Sequence, residues 1–276
     1  MRLPETFQAV RPTIVALGSR LTQAPESQKP LFPTIIGTGF VVDRRGIVAT
    51  NRHVADALVA LPRHPRTGVS CALAILFTEV EHRGTEHGMG TLFRGIRQHW
   101  VLKRFVPHDC YFGEAMPDLA FLQLNVTALP AAELITEPNV LKTGLDVATA
   151  GFPLGESPLT AFNKVTQLTP LLRKGVISSV YPFPCPRPDG FTVDVTTQGG
   201  ASGSPIFLTD SPKIVGMIQA VMVGGENITI ALPSTLINEA LQKCLGESEL
   251  DLTQIPELPD LLRTIERTPE LKYEIL

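Results

Sequence analysis

Residues 196–220 read TTQGGASGSPIFLTDSPKIVGMIQA, and two serines, Ser202 and Ser204, stand among Gly199, Gly200 and Gly203 at the head of an apolar run. Glycines this dense between strand-like runs predict a tight turn that other residue types would not tolerate. A serine at its tip would present a hydroxyl beside main-chain N–H groups that no regular ladder uses. Those are the two requirements of acyl transfer, a nucleophile and a place for developing negative charge.

A hydroxyl needs a base, and the base needs a group that orients it. Upstream, His53 lies in Thr50-Asn51-Arg52-His53-Val54, directly after the apolar run Ile47-Val48-Ala49. Asp118 heads a second such run, Leu119 to Leu124, 65 residues after His53. Asp109 is the nearby rival and lacks the apolar run. The other histidines, 64, 82, 87, 99 and 108, read as structural.

The elements that must position these groups are short and extended. Residues 9–17 predict a first strand, Thr34 to Val42 a second, and Ile47 to Thr50 a third that delivers His53; Asp43 to Gly46 is the hairpin turn between the last two. His53 to Leu58 predicts one short helical turn. Between the histidine and the aspartate lie a strand from Cys71 to Val80, a polar glycine-rich stretch from Glu81 to Gly90 and a basic, aromatic segment from Leu92 to Phe105. The length of 62–117 predicts elaborated loops there. Strands are also expected at 119–126, 146–151, 166–180, 191–197, 214–223 and 227–232, then a helix over 233–245 and a second over 259–267.

Taken in order, Gly37-Thr38-Gly39-Phe40-Val41-Val42, the histidine block, Asp118-Leu119-Ala120, Gly151-Phe152-Pro153-Leu154-Gly155, Gly200-Ala201-Ser202-Gly203-Ser204-Pro205 and Ile230-Ala231-Leu232-Pro233-Ser234 resemble the trypsin-like serine peptidases, most closely their bacterial HtrA-type branch. The resemblance covers roughly residues 9 to 240. It implies an all-β fold of two six-stranded antiparallel β-barrels with a C-terminal helix. The N-terminal barrel would span 1–130 and carry His53 and Asp118. The C-terminal barrel would span 131–245 and carry Ser202, and 246–276 would be a tail too short for the PDZ domain of many HtrA-type proteins. It implies Ser202 as nucleophile of an endopeptidase, His53 as general base and acid, Asp118 as its orienting partner, and the N–H groups of Gly200 and Ser202 as oxyanion hole. It also places Thr196 at the base of the primary pocket and Gln219, Ala220 and Val221 along its edge. A neutral pocket base gives no partner to arginine or lysine, which leaves small or medium apolar residues as the expected preference.

Ala201 stands where many secreted trypsins carry the aspartate that captures a newly cut N-terminus. Activity without propeptide removal is therefore expected, with residues 1–8 dispensable. The other readings are a catalytically silent module that binds proteins, and a peptidase switched on by a protein partner in a stress or defence system.

Composition is that of a globular protein. The 276 residues are 43% hydrophobic and 18% charged, with 24 prolines and 22 glycines that favour many strands and turns. A net charge of -3 offers nothing to nucleic acid or to an anionic membrane. No apolar run approaches the roughly 18 residues of a membrane span. The N-terminus lacks a signal-peptide core, and the dispersed Cys71, Cys110, Cys185 and Cys244 read as free thiols, so a cytoplasmic setting is expected, the alternative being export by a signal removed from this sequence. His82-Arg83-Gly84-Thr85-Glu86-His87 misses zinc-site spacing, and Gly37-Thr38-Gly39 is not a dinucleotide fingerprint, so neither metal nor cofactor is called for.

Overall fold

A computed structural model describes residues 1–20, 32–65, 67–82, 86–101, 117–161, 164–165, 167, 169–221, 228–247, 250 and 252–267. The chain opens with helix α1 (Leu3–Val10) and a 3-10 turn (Arg11–Thr13). Strands β1 (Ile14–Ser19), β2 (Thr34–Asp43), β3 (Ile47–Thr50), β4 (Ala72–His82), β5 (Glu86–Val101) and β6 (Ala120–Leu124) close a barrel in the order β1-β2-β3-β6-β5-β4. Helix α2 (Arg52–Val59) follows β3.

The second barrel contains β8 (Asp146–Gly151), β11 (Leu171–Tyr181), β12 (Gly190–Val193), β13 (Pro205–Leu208), β14 (Lys213–Val221) and β15 (Thr229–Pro233). They run β13-β8-β11-β12-β15-β14, and the pairing of β13 with β14 closes the ring. The short β7 (Glu133–Leu134) adds a parallel pair to β14, and β9 (Thr160–Ala161) with β10 (Lys164–Val165) forms a separate two-stranded ribbon. Helices α3 (Ser234–Glu247) and α4 (Leu258–Arg267) complete the chain. None of the described helices is long and apolar enough to cross a membrane. The expected all-β fold of two six-stranded antiparallel barrels with a C-terminal helix is therefore observed.

Three apolar clusters explain why the strands read as unbroken hydrophobic runs. Alternate residues point into a barrel or toward the other barrel, and both faces are buried. In β2, Val41 belongs to the interior of the first barrel while Phe40 packs in the cluster shared between the barrels; in β13, Ile206 faces inward and Phe207 faces the shared cluster. Stacking of Phe77 on Phe152, with ring centroids 5.1 Å apart, joins the barrels directly. Full burial of such a side chain contributes roughly 1.5–3 kcal/mol.

Two segments differ from expectation. Residues 9 and 10 close α1, and the strand begins only at Ile14, with Pro12 early in the 3-10 turn. Proline at that position costs no hydrogen bond, which is why the apolar run does not become one strand. The helix also packs: Thr6 is buried and donates to the carbonyl of Thr209, and Leu3 and Phe7 lie against the shared cluster. Deleting residues 1–8 therefore removes packing as well as sequence. The second difference follows the expected strand from Cys71 to Val80, which is β4: the next stretch returns as the long strand β5 in place of the expected loops. The two strands pair continuously from Leu73 with Gly95 to His82 with Glu86. Main-chain pairing holds them, and composition does not display main-chain pairing. Residues 102–116, including Asp109 and Cys110, lie outside the described set; Cys71, Cys185 and Cys244 are free.

Candidate active site

The antiparallel pairing of β3 with β6 brings Thr50 opposite Ala120, and so carries His53 and Asp118 to the same end of the barrel. Asn51 occupies the N-cap position of α2, yet its side chain does not cap the helix. Its Nδ2 instead donates to the carbonyl of Asp118 at 2.8 Å. Asp118 takes over the capping role: Oδ1 accepts the main-chain N–H of His53 at 3.0 Å, satisfying one of the donors a helix start leaves open. The other oxygen, Oδ2, lies 2.6 Å from His53 Nδ1. One carboxylate thus holds both the backbone and the ring of His53. The hydrogen bond to Asp118 raises the His53 pKa above the usual histidine value, against the opposing effect of burial. The imidazole remains half exposed, so its far edge is open to a reactant.

Ser202 arises from two successive turns. Ala201 N–H donates to Gln198 O and Ser204 N–H to Ala201 O, each at 3.0 Å. The third residue of each turn is a glycine with positive φ, Gly200 at +94° and Gly203 at +84°. Side chains are not tolerated at either place, because a Cβ at Gly200 would run into Phe152 O and one at Gly203 into Thr38 O. Ser202 is the second residue of the second turn and is partly accessible. Ser204 is 1% exposed, and its hydroxyl is packed where a Cβ on Gly151 would be. Burial separates the two serines that composition left open.

Thr38, fully buried on β2, ties the serine turns to the first barrel. Its N–H donates to Ser202 O at 2.9 Å, and its hydroxyl donates to Gly200 O at 2.8 Å. The same hydroxyl accepts the Phe152 N–H at 3.1 Å, and Thr38 O accepts the Thr50 hydroxyl at 2.8 Å. Thr50 is three residues before His53, so this network runs from the serine turns to the histidine strand. With both Thr38 and Gly200 O engaged, the N–H groups of Gly200 and Ser202 donate to no acceptor among the described residues.

A family model for the trypsin-like peptidase domain matches residues 37–217. The chain belongs to that family. As a trypsin-like peptidase it is similar to the serine endoprotease from Yersinia pestis, at 17% identity and TM-score 0.53 over 90% of this chain and 68% of that one. It is also similar to the HtrA-type protease AlgW with decapeptide, at 17% identity and TM-score 0.56 over the same shares, and to Rv3671c from M. tuberculosis in an inactive form, at 17% identity and TM-score 0.50 over 89% and 93%. At such identities the likeness is one of fold. No curated protein matches the sequence.

The expected specificity residues gather around β15. Thr196 is exposed, while its neighbours Val195 and Thr197 are pinned by Thr229: the Thr229 hydroxyl donates to Val195 O at 2.6 Å and lies 3.0 Å from the Thr197 hydroxyl. Thr229 pairs in turn with Val221 at the end of β14. Gln219 forms a bulge in that strand, half buried, and Ala220 is exposed. On the side of β14 facing the serine turns, Ile218 exchanges bonds with Gly203 and Ser204, and Gln219 to Val221 continue beyond them. Reading the sequence missed Thr38, Thr50 and Asn51. The signal for Thr38 was a hydroxyl held between Gly37 and Gly39 within a strand, and nothing local marked Thr50 or Asn51.

Proposed function

We propose that this trypsin-like peptidase is a serine endopeptidase in which Ser202, His53 and Asp118 act together on peptide bonds. The observation that carries the reading is the two-point grip of Asp118 on His53, on ring and backbone at once. Such a grip fixes the tautomer with the proton on Nδ1 and leaves Nε2 as the base.

In that reading His53 Nε2 takes the proton of the Ser202 hydroxyl as its oxygen attacks the scissile carbonyl. The Asp118 carboxylate stabilises the imidazolium so formed. The carbonyl oxygen becomes an oxyanion held by the N–H groups of Gly200 and Ser202, which have no competing protein acceptor among the described residues. Collapse breaks the C–N bond, and His53 returns its proton to the leaving amine. The acyl group stays on Ser202 until water, activated by the same imidazole, releases it. Substrate would lie antiparallel to Gln219–Val221 as an added strand, its side chain near Thr196. Nothing in that wall is charged, so cleavage after small or medium apolar residues is favoured. A peptide library cut better after Arg than after Ala, Val or Leu would overturn the specificity assignment.

The test of the function is hydrolysis of an unfolded protein substrate by the purified chain. Wild type should cleave it, and Ser202→Ala should not. Equal turnover by the two would remove Ser202 from the chemistry.

A further inference from the structure

In the first serine turn, Gln198 to Ala201, the central peptide joins Gly199 to Gly200. That peptide is trans, so the Gly199 carbonyl and the Gly200 N–H point in opposite directions. Turning the central peptide over exchanges the two directions and converts a type II turn, which the +94° φ of Gly200 marks here, into type I. Both central residues are glycines, and Gly199 has open space where a Cβ would stand, so side chains do not decide between the two. A hydrogen bond does: Leu154 N–H donates to Gly199 O at 2.7 Å. The Gly200 N–H is thereby turned away from Leu154, and it is one of the two donors assigned above to the oxyanion.

Leucine is an unusual residue to make that bond. Leu154 is third in a turn that Gly155 N–H closes on Phe152 O at 3.1 Å, with Pro153 second. Its φ is +67°, a left-handed value that glycine or asparagine adopts far more readily at that place. Such a conformation persists only where the surroundings fix it. Both flanks of the turn are fixed on β2. Phe152 N–H donates to the Thr38 hydroxyl at 3.1 Å, and Ile35 N–H donates to Glu156 Oε2 at 3.0 Å. Burial of the leucine is not what holds it there, since Leu154 is 57% exposed. What the left-handed backbone achieves is to aim the Leu154 N–H at Gly199.

We propose that Leu154 is a positioning residue: its main-chain N–H sets the Gly199–Gly200 peptide and so aims the Gly200 N–H at the oxyanion. The use of that donor rests on the proteolytic reading above; the orientation of the peptide does not. Released from Leu154, the peptide turns over. The Gly199 carbonyl then stands where the Gly200 N–H was, and an oxyanion meets an acceptor in place of a donor. Three variants of the full chain separate this backbone role from the side chain. Leu154→Ile keeps an apolar side chain of the same size, but a β-branched residue resists positive φ. Leu154→Asn gives up the apolar side chain and accepts positive φ. The α-hydroxy acid analogue of leucine, placed at 154 by nonsense suppression, keeps the side chain and replaces the N–H with an ester oxygen. Turnover of an unfolded protein substrate should fall by a factor on the order of 10²–10³ in the ester and in Leu154→Ile, the scale of one lost oxyanion donor. KM and the pH midpoint set by His53 should hold. Affinity for a peptide aldehyde, whose adduct carries the oxyanion, should fall with turnover. Leu154→Asn should lose far less than either. Crystallography of the ester should show the Gly199 carbonyl turned away from residue 154, with Ser202 in place. That reading needs no activity, so failure of the positioning role and failure of the proteolytic reading are told apart. The proposal is overturned if Gly199 O keeps its direction in the folded ester, if Leu154→Ile turns over substrate as wild type does, or if Leu154→Asn falls as far as Leu154→Ile.

Discussion

The two halves of the candidate site are built by different physics. On the first barrel, His53 is held by side chains: a carboxylate that grips ring and backbone, backed by the Asn51 amide. On the second barrel, Ser202 is held by main chain: two turns that only glycine permits, bonded to Thr38 of the opposite barrel. The histidine half should therefore lose chemistry while keeping its shape when a side chain is changed. The serine half should lose shape first. The predictions below separate these two modes of failure.

The largest effect on chemistry is expected from Asp118→Asn. An amide oxygen can still accept the His53 main-chain N–H, so the α2 cap survives, but the ring loses its charged acceptor. Turnover should fall by a factor on the order of 10⁴ with little change in thermal stability. Asp118→Ala removes the cap too, and should add a stability loss of about 0.5–2 kcal/mol, measured by denaturant unfolding. A fall in stability as large for Asn as for Ala would break the claim that the carboxylate has two separable roles.

Gly203→Ala should do the reverse. Positive φ and the overlap with Thr38 O force the turn to move, with a backbone cost of about 1–3 kcal/mol. Activity should fall with stability, and crystallography of the variant should show Ser202 displaced while His53 and Asp118 stay in place. Thr38→Val, nearly equal in volume, leaves Gly200 O and the Phe152 N–H unsatisfied in a buried site. It should lower stability by about 1–3 kcal/mol and impair turnover through the second barrel. An unaffected Thr38→Val enzyme would show that the barrels are joined by packing alone.

The pH profile gives a smaller and more specific signal. His53 must be neutral to accept the Ser202 proton, and its pKa is raised by Asp118. kcat/KM should rise with pH to a midpoint above the ordinary histidine value of ~6.5. In residual activity, Asp118→Asn should bring that midpoint down. A raised folded pKa also means that the pair stabilises the fold below the unfolded pKa and loses this contribution as pH rises through the folded one. The smallest effect belongs to Ser204→Ala. Its hydroxyl is buried without a partner among the described residues, so its removal should leave activity intact and stability unchanged or slightly improved.

Legibility in the sequence follows the same division. Acyl transfer constrains residue type strongly, which makes His53, Asp118 and Ser202 legible as candidates, and the structure brings His53 and Asp118 into contact. β2, β3 and β8 could be picked out because strands buried on both faces are continuously apolar. The features that stayed hidden depend on long-range main-chain contacts. The pairing of β5 back onto β4 is one. Another is the return of residues 256–261 to the first barrel, where Leu258 N–H donates to Thr127 O at 2.9 Å and α4 packs Leu258 and Leu261 on its core. Thr38 was hidden because its hydroxyl serves residues more than 100 positions away. Residues 9–13, the end of α1 and the 3-10 turn, read as strand because a local apolar run does not distinguish a short helix from an extended segment, and Pro12 suits both.

The central claim is that one hydroxyl, that of Ser202, is activated by His53. Reaction of the wild-type chain with a fluorophosphonate, followed by mass mapping of the adduct, tests it most directly. A single adduct on Ser202, lost in Ser202→Ala and strongly slowed in His53→Ala, is the predicted result. An adduct on Ser204, or a Ser202 adduct that forms equally fast without the imidazole, would contradict the account.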